Sequence, residues 1–248
     1  MRVISFKVWG DFAHFRRHYT TSSPLTLSIF PPSALRGFVG GILGLDRKRY
    51  PEILSADNSL FGVRLLSPVK KIRLGLNYLD TKDGGWVQLD KRTLLPVIKK
   101  DGHGNPRLHT QIRVEFLKNP VFEIFFHHED VGVMNELSNR LKEKRCVYTP
   151  FLGITECIAN FSFLWDMEVS ECSDGYVISA FPLEDLESIK VEEGVVLIKE
   201  KVPVFIDHGR IRKIAKDVAF NPFAEPLPVK LKKAYRYPES EFCFAFIG

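Results

Sequence analysis

At 248 residues, with 45% hydrophobic side chains, the chain is long and apolar enough for a packed core, which excludes a disordered tail. No apolar run approaches the ~20 residues that cross a bilayer, and Met1–Lys7 lacks a signal peptide's apolar segment and cleavage site, so no membrane contact and a cytoplasmic place are expected. The net charge of +5 is uneven: residues 1–49 carry eight Lys and Arg against two Asp and Glu, residues 86–118 seven against three, and residues 165–200 two against ten. That asymmetry favours a polyanion held by the N-terminal half.

Val3 to Trp9 alternates as an opening strand with one strongly buried face. Gly10-Asp11 ends it, and Phe12 to Ile29 follows as a polar-aromatic connection of the length at which loops are often functional. Pro31-Pro32-Ser33 then opens a helix over about Ser33–Leu43, because proline fits the first helical turn, where its missing donor costs nothing. Leu35, Phe38, Val39, Ile42 and Leu43 share one face; Gly37, Gly40, Gly41 and Gly44 line the other. Interior glycines cost about 1 kcal/mol each, so something must lie close against the bare face: a second layer of the same fold, or another backbone, protein or nucleic acid.

Leu60–Leu66 and Val69–Leu79 read as strands. Two extended segments between Val87 and Phe116 flank the turn cluster 101–106, which predicts a long β-hairpin carrying Lys91, Arg92, Lys99, Lys100, Arg107 and Arg113. Val121–Phe126 is a strand, Asp130 an N-cap for a helix over Val131–Lys144, and Thr155–Trp165 a further strand. Beyond it the pattern is all β: Tyr176–Phe181, Val195–Lys199, Val202–Asp207, a turn at 207–210, an extended connector over Asn221–Pro228, and Glu241–Ile247. The expected fold is α+β: a ferredoxin-like (RRM-type) domain over 1–165 with an inserted hairpin thumb at about 86–118, followed by a smaller β-rich region over 166–248.

Phe12-x-His14-Phe15-Arg16, Pro31–Gly37 with its glycine-rich continuation, Glu115-Phe116-Leu117-x-Asn119-Pro120 and Phe151–Cys157 stand in the order in which the Cas-five family of CRISPR-associated proteins (RAMP superfamily) carries similar segments. The chain resembles that family, most closely its type I-B branch. The resemblance implies a non-catalytic RNA-binding subunit of a type I interference complex (Cascade) in antiviral defence. Such a subunit caps the 5′ handle of the crRNA, touches the backbone and large subunits, and meets target DNA only indirectly. It implies Phe12, His14, Phe15, Arg16, Arg36, Gly37 and Gly40 around the handle, and Arg92, Lys99, Lys100, Arg107, His109 and Arg113 on the thumb.

Each group has a plainer reading. Phe12 and Phe15 are also core candidates, and Arg16, Arg17 and Arg36 also fit solvent or a surface ion pair. His127-His128-Glu129-Asp130 holds adjacent histidines that point to opposite faces of a strand, so no metal and no cofactor is expected. Cys146, Cys157, Cys172 and Cys243 have no metal-type spacing and read as reduced thiols. The enzymatic rival is a metal-independent endoribonuclease processing precursor crRNA, with His14, His18, Tyr19, His109 and Lys99-Lys100 as its acid, base and cation. One branch of the family uses a tyrosine, a lysine and an adjacent histidine; here Lys100 and His103 are three apart and His109 stands alone.

Overall fold

The computed structural model describes the chain except residues 18, 21–22, 80–91, 93–98, 101–105, 108, 173–174, 191–192, 208 and 210; at 79, 99–100, 106–107 and 109–110 it describes the backbone alone. The first half runs β1 (Arg2–Trp9), β2 (Phe12–Ala13), α1 (Pro32–Leu43), α2 (Tyr50–Ile53), β3 (Ser59–Leu65), β4 (Lys71–Leu79), β5 (Lys99–Lys100), β6 (Pro106–Arg107), β7 (His109–Lys118), β8 (Val121–His128) and α3 (Val131–Lys142). The second runs β9 (Asn160–Glu168), β10 (Ser170–Cys172), β11 (Tyr176–Val177), β12 (Phe181–Pro182), β13 (Leu186–Ile189), β14 (Ile198–Ile206), β15 (Arg212–Phe220), β16 (Leu227–Leu231), β17 (Ala234–Arg236) and β18 (Phe242–Cys243).

The central sheet has the order β3-β8-β1-β9, with antiparallel neighbours throughout. Its first face presents Ile4, Phe6, Val8, Phe61, Val63, Phe122, Ile124 and Phe126 to the apolar stripes of α1 (Leu35, Phe38, Val39, Ile42) and α3 (Met134, Leu137, Leu141). The other face is buried too, which corrects the reading of β1 as one-sided: Val3 and Phe125 pack with Val169, Ile178, Phe244 and Phe246 from the C-terminal region. Gly62 permits that approach, since a Cβ there would stand 2.7 Å from the Ala245 carbonyl oxygen. The last residues pair with β3, Ile247 N–H donating to Phe61 O at 2.8 Å.

Both long helices start where the sequence places them. Pro32 opens α1, and Gly44 closes it in the left-handed conformation at φ 75°. Asp130 caps α3, its carboxylate accepting from Gly132 N–H at 2.7 Å.

Much of the expected hairpin, residues 80–91, 93–98, 101–105 and 108, lies outside the described residues. β7 pairs along its length with β4, from Lys71↔Leu117 to Leu79↔His109, so the finger has 71–79 as its first arm. Among the described residues of the turn region, Lys99-Lys100 pair with Pro106-Arg107, as expected of a hairpin there. The sequence marks Val69–Leu79 as a strand without a partner; β7 supplies that partner, and β2 adds to the far edge of β7.

Residue 165, the expected domain boundary, lies inside β9, and one core draws on both sides of it: Val202, Val204, Val218, Phe220 and Ile247 pack with residues of α1 and β1. β14 and β15 form a long antiparallel hairpin, in which Val195–Lys199 and Val202–Asp207, read as two strands, run as one through Pro203. A register shift beside Pro203 accommodates the missing donor. Thr155 to Ala159, read as strand, is instead a tight loop before β9. Among the described residues no helix is long and apolar enough to cross a membrane.

Candidate nucleic-acid interface

The connection after β1 folds back on itself. Leu27 N–H donates to Phe15 O and Arg17 N–H to Leu25 O, both at 2.8 Å, with an antiparallel bridge between Arg16 and Thr26. Extended pairing sorts the side chains: Phe15, 3% exposed, stacks on Phe30 with centroids 4.6 Å apart, whereas Arg16 and Tyr19 face solvent.

β14 stands opposite this loop. Its alternation turns Glu200, Val202 and Val204 inward and Lys199 and Lys201 outward. The Glu200 carboxylate accepts from Ser28 N–H and Ser28 Oγ–H, each at 2.8 Å, and pairs with Arg17 Nη2; Lys71 Nζ stands 3.6 Å away. One buried acid thus ties the loop, the base of the β4–β7 finger and the β14–β15 hairpin together. Arg17 spends its other nitrogens on Thr26 O at 3.1 Å and Tyr19 Oη at 2.8 Å. Burial opposes the Arg17 charge, but the contacts with Tyr19 and Glu200 hold its pKa above the ordinary arginine value.

Between loop and hairpin lies a cleft of about 510 Å³, lined by Arg16, Arg17, Tyr19, Leu27, Lys199, Glu200, Lys201, Pro203, Ile206 and Arg212. Among the described residues five cations face one carboxylate, and that carboxylate is consumed by Arg17 and Ser28. Lys199 Nζ meets Asp217 at 2.9 Å in an exposed pair, which yields readily to a phosphate. The cleft is therefore a cationic furrow with an aromatic ring at its rim.

The expected site residues divide around it. Arg16 lines the cleft. Arg113 is exposed on the finger, and Arg92 is exposed in a turn. Lys99, Lys100, Arg107 and His109 are placed by backbone only, so their side chains lie outside the described part, as do His18 and His103 entirely.

Phe15, His14, Arg36 and Gly40 are interior, and their expected placement against a ligand is corrected; Phe12 is half-buried and Gly37 stays exposed. Phe15 is core, and Phe12 is half-buried edge-on to Phe116 at 6.0 Å. His14, 4% exposed, donates Nδ1–H to Glu115 O at 2.7 Å, and burial lowers its pKa. Arg36, 1% exposed, donates to Leu54 O, Val204 O and Ser59 O at 2.8, 2.6 and 3.4 Å, between the rings of Phe61 and Phe205. Burial without an anionic partner lowers its pKa to about 10, which leaves it charged at neutral pH. Gly40 is buried, a Cβ there meeting Tyr50 Cβ at 3.2 Å, and Tyr148 and Val147 approach Gly41 and Gly44; Gly37 is open. What lies against Gly40, Gly41 and Gly44 is thus the protein's own side chains, while the face at Gly37 is open.

A family model described as "CRISPR-associated protein (Cas_Cas5)" matches residues 3–217. The chain belongs to that family. In fold the Cas_Cas5 chain is similar to a structure described as "CRISPR RNA-guided surveillance complex", at TM-score 0.53 and 14% identity over 92% of this chain and 91% of the other. It is equally similar to a CRISPR protein from Archaeoglobus fulgidus, at TM-score 0.53 and 18% identity over 97% of each. No curated protein matches it.

The family-like segment Phe151–Cys157 has a structural task here. Leu152 O accepts from His14 N–H at 3.0 Å, and Gly153, at φ 93°, lies so close that a Cβ would stand 2.0 Å from His14 O. The segment clamps the start of the cleft loop. His127 and His128 are likewise structural, with ring nitrogens on Arg2 O and Ile53 O, each at 2.8 Å. Burial pushes the Cys157 thiol up to about 11 and Cys172 up to about 12, so neither is a nucleophile near neutral pH. Sequence reasoning missed Lys201 and Arg212, although Lys199-Glu200-Lys201-Val202 already alternates cation and inward residue. The strongly acidic stretch in front of it concealed that signal.

Proposed function

We propose that this Cas_Cas5 chain is the non-catalytic RNA-binding subunit of a type I CRISPR interference complex, of the type I-B branch, and that it holds the 5′ handle of the crRNA. The observation that carries this reading is the cleft in which Arg16, Arg17, Lys199, Lys201 and Arg212 surround an aromatic rim. A single strand needs that combination: cations for successive phosphates and a ring for a base. The four-strand order β3-β8-β1-β9 with crossover helices α1 and α3 supports a ferredoxin-like reading of the N-terminal part. In this reading the β4–β7 finger, inserted between its second and third strands, reaches the first backbone subunit. The large subunit docks on the body and meets the target DNA.

Of the acid–base candidates, His14 is buried with Nδ1 committed to a backbone carbonyl, which favours the non-catalytic reading over the nuclease. The test is titration of fluorescent repeat RNA with the purified protein at several salt concentrations, in chelator. The Lys201→Ala, Arg212→Ala double variant should weaken binding and reduce the salt slope by about 1.4, two single-strand phosphate contacts. An unchanged slope overturns the cleft as the site. Cleavage of the repeat RNA in chelator, abolished by His109→Ala, replaces the subunit reading with the nuclease.

A further inference from the structure

Tyr19 is 61% exposed, yet its hydroxyl is held by Arg17 Nη1 at 2.8 Å. Arg17 is itself fixed by the buried Glu200 on β14, 183 residues away, and by Thr26 O. A large ring kept in solvent normally samples many rotamers; this one is tethered to the interior through Arg17 and Glu200. All three residues line the cleft.

We propose that Tyr19 is a stacking platform for one unpaired nucleobase at the cleft rim, and that Glu200 is a positioning residue acting on that base through Arg17. The proposal rests on the reading of the cleft as a single-strand site and adds a division of labour within it. Lys199, Lys201 and Arg212 neutralise phosphates. Arg17, a cation by composition, is structural: its nitrogens are occupied by Glu200, Thr26 and Tyr19. Stacking on a preset ring is sequence-tolerant and costs little ordering entropy, because the ring is already held. The ligand form implied is single-stranded at this point, since a paired base has no free face to offer.

The experiment uses the intact protein and an end-labelled oligoadenylate of about eight nucleotides, with a parallel set in which one nucleotide at a time is abasic. Tyr19→Leu should weaken binding about tenfold with the salt slope unchanged, because no phosphate contact is lost. Wild type should lose a similar factor at one abasic position, and Tyr19→Leu should be indifferent there. Glu200→Gln should cost about threefold, and the Tyr19→Leu, Glu200→Gln double variant should bind no worse than Tyr19→Leu alone. If Glu200→Gln folds poorly by thermal melting, Tyr19→Phe tests the same link, since it removes only the hydroxyl that Arg17 holds.

Three results overturn parts of this in distinguishable ways. If Lys201→Ala with Arg212→Ala leaves affinity and slope untouched, the cleft reading fails and the platform with it. If that variant weakens binding but Tyr19→Leu binds like wild type, the cleft stands and the platform is wrong. If the Tyr19 and Glu200 losses add, Glu200 does not work through the ring.

Discussion

Arg36 and Arg16 stand twenty positions apart in segments that resemble the same family, and the fold treats them in opposite ways. Arg36 lies in a dry interior, its guanidinium spread over three backbone carbonyls and two aromatic rings, where it holds β14 onto α1. Arg16 stands at the rim of an open cleft among other cations. The first arrangement is sealed from solvent and leaves nothing for a ligand; in the second Arg16 also donates, to Thr20 O at 2.8 Å, but from an exposed position in a cluster of cations whose positive potential a polyanion would neutralise. A basic residue near a recognisable motif is thus evidence of a binding site only once its donors have been counted. The two regions are also coupled: the helix that buries Arg36 supports the hairpin whose outward face lines the cleft.

The contrast is sharpened first by its most demanding contact. Gly153→Ala should destabilise the fold by about 4 kcal/mol in urea unfolding, since it places a side chain both in a left-handed conformation and onto the His14 carbonyl. A midpoint close to wild type would mean that the 151–157 clamp is not tight. Arg36→Met should cost about 3 kcal/mol by leaving its carbonyl acceptors unpaired, while the folded fraction keeps the wild-type salt slope for RNA. A lowered slope with intact stability would break the comparison by making Arg36 a phosphate ligand.

The smallest effect is on pH dependence. The His14 pKa in the fold lies below its ordinary 6.5, so between those two values the unfolded chain takes a proton that the folded one refuses. Stability therefore falls as pH drops from 6.5 through the folded value. His14→Gln should give a shallower acid limb in thermal melts; an identical limb would place the sensitivity elsewhere.

Much of the architecture was legible because it rests on local rules. The proline start of α1, the Asp130 cap, and the apolar spacing of Leu35–Ile42 and Met134–Leu141 are written into short windows, and the helices form there. The finger was half legible. Val69–Leu79 reads as a strand and the stretch up to Phe116 as an extended segment, but their pairing across about thirty intervening residues leaves no local mark. Phe12, His14 and Phe15 were ambiguous for a related reason: an aromatic residue beside arginines has the same letters whether it meets a base or another phenylalanine. Lys201 and Arg212 escaped because their importance depends on facing a loop from the other end of the chain.

Taken alone, the order of residues determined the kin of this chain, its two long helices, the main strands of its first half and the unequal spread of its charge. All of these depend on neighbours within a few positions or on the pattern as a whole. Which cations face solvent was decided only by tertiary packing. The glycine stripe is largely closed by Tyr50, Val147 and Tyr148, Arg36 is drawn inside, and Glu200 brings residues 17, 28 and 71 to one carboxylate. The physical reason is that a charge is available to a ligand only where the fold has not already satisfied it, and satisfaction is a property of distance in space.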